Sequence, residues 1–369
     1  MGNEKLNIQF AATDIVFEDN IIKNVQKEIR GQDYIQYGDK NIYPQYLHDL
    51  YSTVSIIHSI INGISDFVGG ENIIINKQQF QDRINDNNET IEDIVKQIAI
   101  DISLYGGFAL NILRNKFGEI AAIYNLDFRN IRSDKKNTVF YYSDDWTRSY
   151  GRVKTTVYPK YTIDGKEPSS IFYYKIDKYN TYPSPTWAGA VISAECLKHI
   201  SEFHLNSLYN GLSSDFIINL NQGIPGDNIK AEIEENIEDK FTGFNNASRV
   251  MVSFNPDYEH RTIIEPIPQN NFIDKYNSLY QTSIKDIFTS FRCSPAIFGL
   301  PSENTGFNDN DIEQSFKIMN TTVILPLQKT IKRCFEQIFG EKEIISITPL
   351  NISFKEIETN DDSTNMNVK

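Results

Sequence analysis

The sequence predicts an α+β protein, because helical and strand-like apolar patterns both occur and no repeat of fixed period runs through it. Four segments carry apolar residues at spacings of three and four, which is typical of amphipathic helices. These segments are Tyr43–Val68, Thr90–Leu104, Trp187–Leu208 and Asn270–Phe291. Short runs of β-branched and aromatic residues lie between them. A chain of 369 residues is long enough for two or three domains.

The first half is predicted to be a mixed domain of helices and short strands. A pair of glycines follows each of the first two helices, at Gly69–Gly70 and at Gly106–Gly107. The segment FALNILRN is separated from IAAIYNL by a turn at Lys116–Gly118, which predicts a β-hairpin. Val139–Tyr174 continues as short aromatic and β-branched runs that are typical of strands.

The second half is predicted to hold a small α/β module between two long helices. The TYPSP break at Thr181–Pro185 precedes the first long helix. Ser213–Leu220 alternates like a strand, Asp227 is placed to cap a short helix, and RVMVSF predicts another strand. The second long helix follows this module.

A further helix is predicted from about Asp309 to Phe339. Pro326 lies inside it, removes one backbone hydrogen bond and crowds the carbonyl of Thr322. We therefore expect a kink at Pro326. The polar tail from Thr359 is predicted to be disordered.

The charge and composition exclude some classes of protein. A net charge of −13 argues against a protein that grips DNA by neutralising its phosphates, but it is compatible with one past which DNA slides. No apolar run is long enough to span a membrane, and the first ten residues lack the pattern of a secretory signal. The three cysteines are too few and too scattered for a disulfide framework or a metal site.

A search for catalytic and cofactor-binding motifs finds none. No P-loop, dinucleotide-binding glycine motif or HExxH sequence occurs, so no cofactor and no metal are expected. Three carboxylate clusters, Asp144–Asp145, Glu234–Glu235 and Asp309–Asp311, are candidate ligands for the metal ions of a nuclease. Adjacent residues on a strand point apart, however, and Asp309 is well placed as a helix N-cap. The sequence therefore predicts that the protein is not an enzyme.

The order of these elements resembles that of bacteriophage portal proteins, whether from a phage or a prophage. Three passages carry the resemblance: the YG dipeptide and hairpin that begin at Tyr105, the passage SEFHLNSLYNGLSSDFIIN, and the stretch from Phe291 to Pro326 and beyond. The resemblance covers most of residues 40–340. It implies a portal-type fold with an α/β wing, long stem helices, a small α/β clip, a proline-kinked helix and a short crown.

The resemblance also implies a division of the chain. Residues 1–185 would form the first part of the wing, 186–211 the first stem helix, 212–262 the clip, 263–292 the second stem helix, 293–310 the tunnel-loop region, 311–340 the kinked helix on the side of the wing and crown, and 341–369 a short crown with a disordered tail.

Candidate functional residues follow from the same resemblance. The loop that would approach DNA in the channel comprises Pro301, Ser302, Glu303, Asn304, Thr305, Gly306, Phe307 and Asn308. Cations that would contact phosphate or a neighbouring subunit are Lys317, Lys329, Lys332 and Arg333. Acidic clip residues that would dock the terminase or an adaptor are Asp227, Glu232, Glu234, Glu235 and Glu238.

The resemblance implies that the protein forms a ring of about twelve subunits at one capsid vertex. Double-stranded DNA would pass through this ring during packaging and ejection. The expected partners are the terminase large subunit, a head–tail adaptor or connector, and the major capsid or scaffold protein, with no membrane. The protein is expected in the virion, and in the host cytoplasm during assembly.

Two other functions stay open at this stage. One is a DNA-processing enzyme, such as a nuclease with a metal held by carboxylates. Its signature would be Mg²⁺-dependent cleavage that is lost when Asp309 and Asp311 are replaced. The other is a different ring-forming structural protein of the head or tail.

Overall fold

A computed structural model describes residues 21–147, 153–210, 214–221, 223, 225–226, 228–230, 232–233, 242–243, 246–247, 249–259, 272–300 and 309–350. The chain divides into two compact bodies. The first body contains the described residues of Met1–Asp49, Ile64–Pro185 and Pro326–Leu350. The second contains those of Leu50–Gly63 and Thr186–Leu325.

The described helices and strands fall largely in separate runs along the chain, which agrees with the predicted α+β class. The helices are α1 Tyr43–Thr53, α2 Ser55–Gly69, α3 Ile91–Tyr105, α4 Val191–Asn210, α5 Phe272–Phe291, α6 Asp309–Met319 and α7 Leu325–Phe339. The strands are β1 Gln26–Glu28, β2 Ile35–Tyr37, β3 Asn72–Ile75, β4 Gly107–Arg114, β5 Ile120–Asn125, β6 Ile131–Ser133, β7 Val139–Tyr142, β8 Thr156–Pro159, β9 Ser169–Lys175, β10 Ser214–Leu220, β11 Thr242–Gly243, β12 Asn246–Ala247, β13 Arg249–Phe254 and β14 Ile345–Thr348.

The first apolar stripe forms two helices, where the sequence pattern predicts one. The break between α1 and α2 falls at Val54, which is buried. The Tyr51 hydroxyl donates to Asn62 Oδ1 at 3.0 Å, although eleven residues of straight helix would separate these positions by about 16 Å. The chain therefore turns at Val54. The Val54 side chain belongs to the predicted apolar stripe and is buried at this turn.

Helix α3 begins and ends within one residue of its predicted bounds. Thr90 caps its N-terminus: the Thr90 hydroxyl accepts from the Asp93 amide at 3.2 Å, and the Asp93 carboxylate accepts from the Thr90 amide at 2.8 Å. Gly106 ends the helix with φ of 82°. A Cβ at Gly106 would lie 2.6 Å from the Ser184 carbonyl oxygen, so only glycine fits there.

The first body is built on two three-stranded antiparallel sheets and two strand pairs. The first sheet has the order β5-β4-β9; the first four residues of its central strand β4 are buried, and no residue of that strand is exposed. The strands β4 and β5 form the predicted hairpin. The second sheet has the order β6-β7-β8, and the pairs are β1 with β2 and β3 with β14. The pairing of β3 with β14 joins segments that are distant in the sequence.

The second body contains the two long helices α4 and α5 and the predicted α/β module between them. Strands β10 and β13 pair in parallel, and helical residues 228–230 and 232–233 lie between them in the chain. The bounds of β13 are those of the predicted RVMVSF strand. Asn255 is buried just after β13, and its amide donates to the side-chain oxygens of Asn219 and Asn221 at 2.9 and 3.2 Å.

Candidate functional site: the paired helices and the interrupted helix

Helices α4 and α5 pack against each other in opposite directions. Three contacts establish this direction: the rings of Trp187 and Phe291 stack with centroids 5.8 Å apart, the Ser193 hydroxyl donates to the Asp286 carboxylate at 3.0 Å, and the rings of Phe203 and Tyr276 stack at 5.7 Å. Residue numbers rise along one helix and fall along the other through this series, so the pair is antiparallel.

The apolar stripes of this pair are buried at one end and exposed at the other. Near Trp187 and Phe291, residues such as Ala194 and Ile287 are fully buried. Toward the other end the apolar side chains are exposed by 39–51 %, and these are Phe203, Leu205, Leu279 and Tyr280. The sequence pattern places both ends on one continuous stripe and does not distinguish them. The exposed end leaves apolar area in water that a further protein surface could cover.

The face of α5 turned away from its buried side chains is polar and carries little charge. Ser278, Thr282, Lys285 and Thr289 recur on it at spacings of four, three and four, and all are exposed. Asp286 lies beside this face and accepts from Ser193. A surface of hydroxyl groups with few charges offers no strong binding site to a polyanion.

The chain that leaves α5 is anchored on α2 within the second body. A short 3-10 turn, Pro295–Phe298, follows α5 and is capped by the Ser294 hydroxyl. The ring of Phe298 lies over Gly63, where an added Cβ would be 2.6 Å from Phe298 Cε1. The predicted tunnel loop, Pro301–Asn308, begins three residues after Phe298 and lies outside the described residues.

A π-helical turn, Asn320–Ile324, separates α6 from α7 immediately before Pro326. The Leu325 amide donates to the Asn320 carbonyl, five residues back, and Pro326 has no amide proton to donate. The hydroxyls of Thr321 and Thr322 donate to carbonyls four residues earlier, each at 2.8 Å. Side-chain bonds of this kind favour bending, and π-turns recur at functional sites in helices.

The four predicted cations lie on two different helices. Lys317 is on α6 and forms an ion pair with Glu313 at 2.6 Å. Lys329, Lys332 and Arg333 lie within one turn of α7, in the first body. In the part of the chain that the structure describes, no carboxylate lies within ion-pair distance of these three cations. Helix α7 thus carries these three cations on one face, which also holds Glu336.

Of the predicted acidic docking residues, only Glu232 lies among the described residues, and it is exposed. Asp227, Glu234, Glu235 and Glu238 lie outside them. Of the carboxylates considered for a nuclease, Asp309 is the first residue of α6 and Asp311 is exposed on the same helix. Among the residues with described positions, no group of three or more His, Cys, Asp or Glu side chains is arranged to hold a metal ion.

None of the described helices is both long enough and apolar enough to cross a bilayer.

A buried arginine organises the first body, and the sequence analysis missed it. Arg132 is fully buried and donates to Asn41 Oδ1 at 2.7 Å and to the Asn41 carbonyl at 2.6 Å. It also donates to the main-chain carbonyls of Arg129 and Ile131. Its guanidinium lies 4.8 Å from the ring centre of Trp146. Burial lowers the pKa of Arg132 to about 10, which still leaves it charged at neutral pH.

A buried carboxyl is the second feature that the sequence analysis missed. Asp101 on α3 accepts from the side-chain amide of Asn125 on β5 at 2.7 Å. Burial raises the pKa of Asp101 to about 8. The side-chain oxygen of Asn125 is buried without a hydrogen-bond donor. An ionised Asp101 cannot supply that donor, whereas a protonated one can.

Comparison with known proteins gives no match to a protein-family model and no match to a characterised protein sequence. Comparison with solved structures gives clear matches. A chain of the virion of the native gene transfer agent particle has a TM-score of 0.56 at 14 % identity, with 84 % of each chain covered. A chain of the neck of that particle, computed with C12 symmetry, has a TM-score of 0.52 at 13 % identity, with 83 % of each chain covered.

An HK97-family phage portal protein from Corynebacterium diphtheriae is similar with a TM-score of 0.49 at 10 % identity, over 82 % of this chain and 93 % of that one. At such identities the similarity is one of fold. The chain therefore has the fold of a subunit from a virion neck, and the resemblance to phage portal proteins predicted from its sequence is confirmed at the level of the fold.

Proposed function

We propose that this chain is a phage portal protein, a non-enzymatic subunit of a ring at one capsid vertex through which DNA is packaged and ejected. The observation that carries the proposal is the fold match over 84 % of both chains to a chain of a virion. A neck of the same particle has been computed with C12 symmetry, which supports a ring of about twelve subunits. We place the protein in the virion, and in the host cytoplasm during assembly.

The exposed end of the α4–α5 pair is the proposed surface on which neighbouring subunits pack. Phe203, Leu205, Leu279 and Tyr280 would lose water there when the ring closes. At about 25 cal/mol per Å², covering roughly 80 Å² on each of four such side chains contributes about 8 kcal/mol per interface before entropic costs are subtracted. This pair corresponds to the stem helices of the portal assignment.

The channel wall is proposed to include the polar face of α5 and the loop Pro301–Asn308. The hydroxyl groups of Ser278, Thr282 and Thr289 would let the phosphate backbone slide, because they offer no fixed charge to hold it. The contact of Phe298 with Gly63 would fix the base of the loop. The cations Lys329, Lys332 and Arg333 on α7 are proposed to contact phosphate or a neighbouring subunit.

The α/β module between α4 and α5 is proposed as the clip, which docks the terminase large subunit during packaging and the head–tail adaptor afterwards. Its exposed Glu232 and the other acidic residues named from the sequence would attract a basic partner. The first body is proposed as the wing, which would face the capsid or scaffold protein. The π-turn before Pro326 is proposed as the hinge between the two halves of the kinked helix, α6 and α7.

Electron microscopy of the purified protein in negative stain tests the proposal. The expected particle is a flanged ring of about twelve subunits with a central hole. Leu279→Asp is expected to prevent ring formation, because it places a charge in the proposed interface. Ile74→Asp, at an apolar residue of the first body that is 47 % exposed, is the matched control and should leave the ring intact. A wild-type protein that stays monomeric at high concentration would contradict the proposal.

A further inference from the structure

The turn of the β4–β5 hairpin presents one aromatic side chain to solvent. Phe117 is 89 % exposed. The Asn115 side-chain oxygen accepts from the amides of Phe117 and Glu119 at 2.9 and 3.0 Å, which fixes the backbone on both sides of the turn. Gly118 closes the turn with φ of 85°. The side chain at the tip is therefore exposed on a backbone that hydrogen bonds hold on both sides.

Arg114 ties this turn to a second loop of the first body. Its guanidinium donates to the Gly118 carbonyl at 2.7 Å and to the carbonyls of Thr162 and Ile163, each at 3.0 Å. Ile163 is itself 46 % exposed. Such bracing orders the turn before any partner arrives, so little conformational entropy remains to be lost when Phe117 is buried. A single exposed aromatic residue is common, but one on a rigid support is the usual form of an interface anchor.

A cavity whose wall is mostly polar, with a cluster of three aromatic residues, lies elsewhere on the first body. It has a volume of about 810 Å³, and Tyr34, Tyr141 and Trp146 lie on its wall. The ring of Tyr34 meets that of Trp146 at 4.8 Å, edge to face, and that of Tyr141 at 5.9 Å. Asp33 and Lys40 are exposed at its rim. The cavity thus combines a cluster of aromatic rings with one charge of each sign at its edge.

The turn and the cavity lie at opposite ends of β4. At the start of β4, Gly107 lies against Pro183, and the Pro183 carbonyl accepts from the Tyr37 hydroxyl at 2.7 Å. Gln36, the neighbour of Tyr37, lines the cavity. The eight residues of β4 then span about 26 Å to the turn that carries Phe117.

The course of strand β8 also shows that the turn and the cavity lie apart. Thr155, just before β8, lines the cavity, and Thr162, just after it, is bonded to Arg114 beside the turn. Because the turn and the cavity lie at opposite ends, they cannot contact each other within one copy of the chain. The turn of one copy can contact the cavity of the next copy, in a head-to-tail contact that repeats from subunit to subunit.

We propose that the Lys116–Gly118 turn of one subunit docks into the aromatic cavity of the next, with Phe117 against Tyr34 and Tyr141 and with Lys116 beside Asp33. The occupant is a second copy of this chain, and the contact rests on the proposed ring function. It adds a second interface in the first body to the one formed by α4 and α5. Its geometry is heterologous, as a closed ring of identical subunits requires.

Ring stability on dilution, followed by mass photometry, tests this contact. Phe117→Ala is expected to raise the protein concentration at which half of the rings dissociate by about tenfold or more, which is the loss typical of an interface anchor. Tyr179→Ala is the matched control, because Tyr179 is 98 % exposed in the same body and lies outside the braced turn. Unchanged dilution behaviour of Phe117→Ala, or an equal loss in both variants, would overturn the proposed contact.

A charge exchange tests the partner surface. Lys116→Glu is expected to weaken the ring, and the double variant Lys116→Glu, Asp33→Lys is expected to restore it, because the pair is then present with its signs reversed. A double variant weaker than both single variants would exclude this pairing. If every one of these variants forms rings as stable as those of the wild type, the proposed contact is wrong and the ring function is unaffected. If the wild-type protein is itself a monomer, both the contact and the ring function are wrong.

Discussion

Replacing Asp101 with asparagine removes a titratable group that the folded protein holds in its protonated, neutral form at pH 7. The pKa of this carboxyl rises from 3.8 to about 8 because it is buried, and the Asn125 amide offsets only part of that effect. In the unfolded chain the same carboxyl is ionised above pH 4. Folding at neutral pH must therefore take up a proton at Asp101, and the free energy of unfolding is reduced accordingly.

The size and sign of this effect follow from the shift. The contribution of Asp101 to the free energy of unfolding is largest below pH 3.8. It decreases by about 1.4 kcal/mol per pH unit above that pH and becomes constant near pH 8, where Asp101 also ionises in the folded state. By pH 7 the accumulated loss is about 4 kcal/mol. In Asp101→Asn the new amide can donate to Asn125 Oδ1 and accept from its Nδ2. We expect this variant to be more stable than the wild type at pH 7, by up to that amount.

Urea unfolding of wild type and variant at intervals from pH 4 to pH 8.5 measures the difference. The difference should be small near pH 4 and should grow with pH until about pH 8. Asp82→Asn, at an exposed aspartate of the same body, is the control and should give no such trend. A variant less stable than wild type at pH 8, or a difference that does not depend on pH, would refute the reasoning.

Three other changes have definite expected results. Gly63→Ala should destabilise the second body by about 1–2 kcal/mol, because the new Cβ displaces the ring of Phe298. Gly189→Ala is the control and should be neutral, because an added Cβ meets open space there; thermal unfolding of the two variants measures the difference. Arg132→Met should cost several kcal/mol and prevent folding at 37 °C, because it leaves the buried carbonyl oxygens of Asn41 and Ile131 without their donor; a soluble, cooperatively unfolding variant would contradict this. Deleting Ser302–Phe307 should leave rings intact but block DNA packaging or retention, and normal full heads would refute that role.

Pro326→Ala tests the hinge. Restoring the amide proton allows a regular helix through residue 326, so the π-turn before it should be lost and ring assembly or diameter should change. Hydrogen exchange of the amides on both sides of the turn reports the first effect, and microscopy reports the second. Rings of unaltered diameter would mean that the interruption is not needed for closure.

Local features of the sequence were sufficient for much of the fold. The bounds of α3 follow from Thr90 and from Gly106, because a capping hydroxyl and a left-handed residue act within one helical turn. The β4–β5 hairpin and β13 follow from alternation between turns for the same reason. The turn at Val54 did not follow, because the apolar spacing continues through it and only the contact of Tyr51 with Asn62 reveals it.

The candidate sites, like the fold, have some features that the sequence predicts and others that it does not. Spacing and the chemistry of single residues were enough to predict the α+β class and the two long helices around an α/β module. They also predicted a kink at Pro326, and the structure places a π-turn at Asn320–Ile324 just before that residue. The contacts of the folded chain were needed to show which end of the α4–α5 stripe is exposed, that Arg132 and Asp101 are buried, and that Phe117 lies on a braced turn. These properties depend on contacts between residues far apart in the chain, and an apolar or charged residue looks the same in the sequence whether such a contact forms or not.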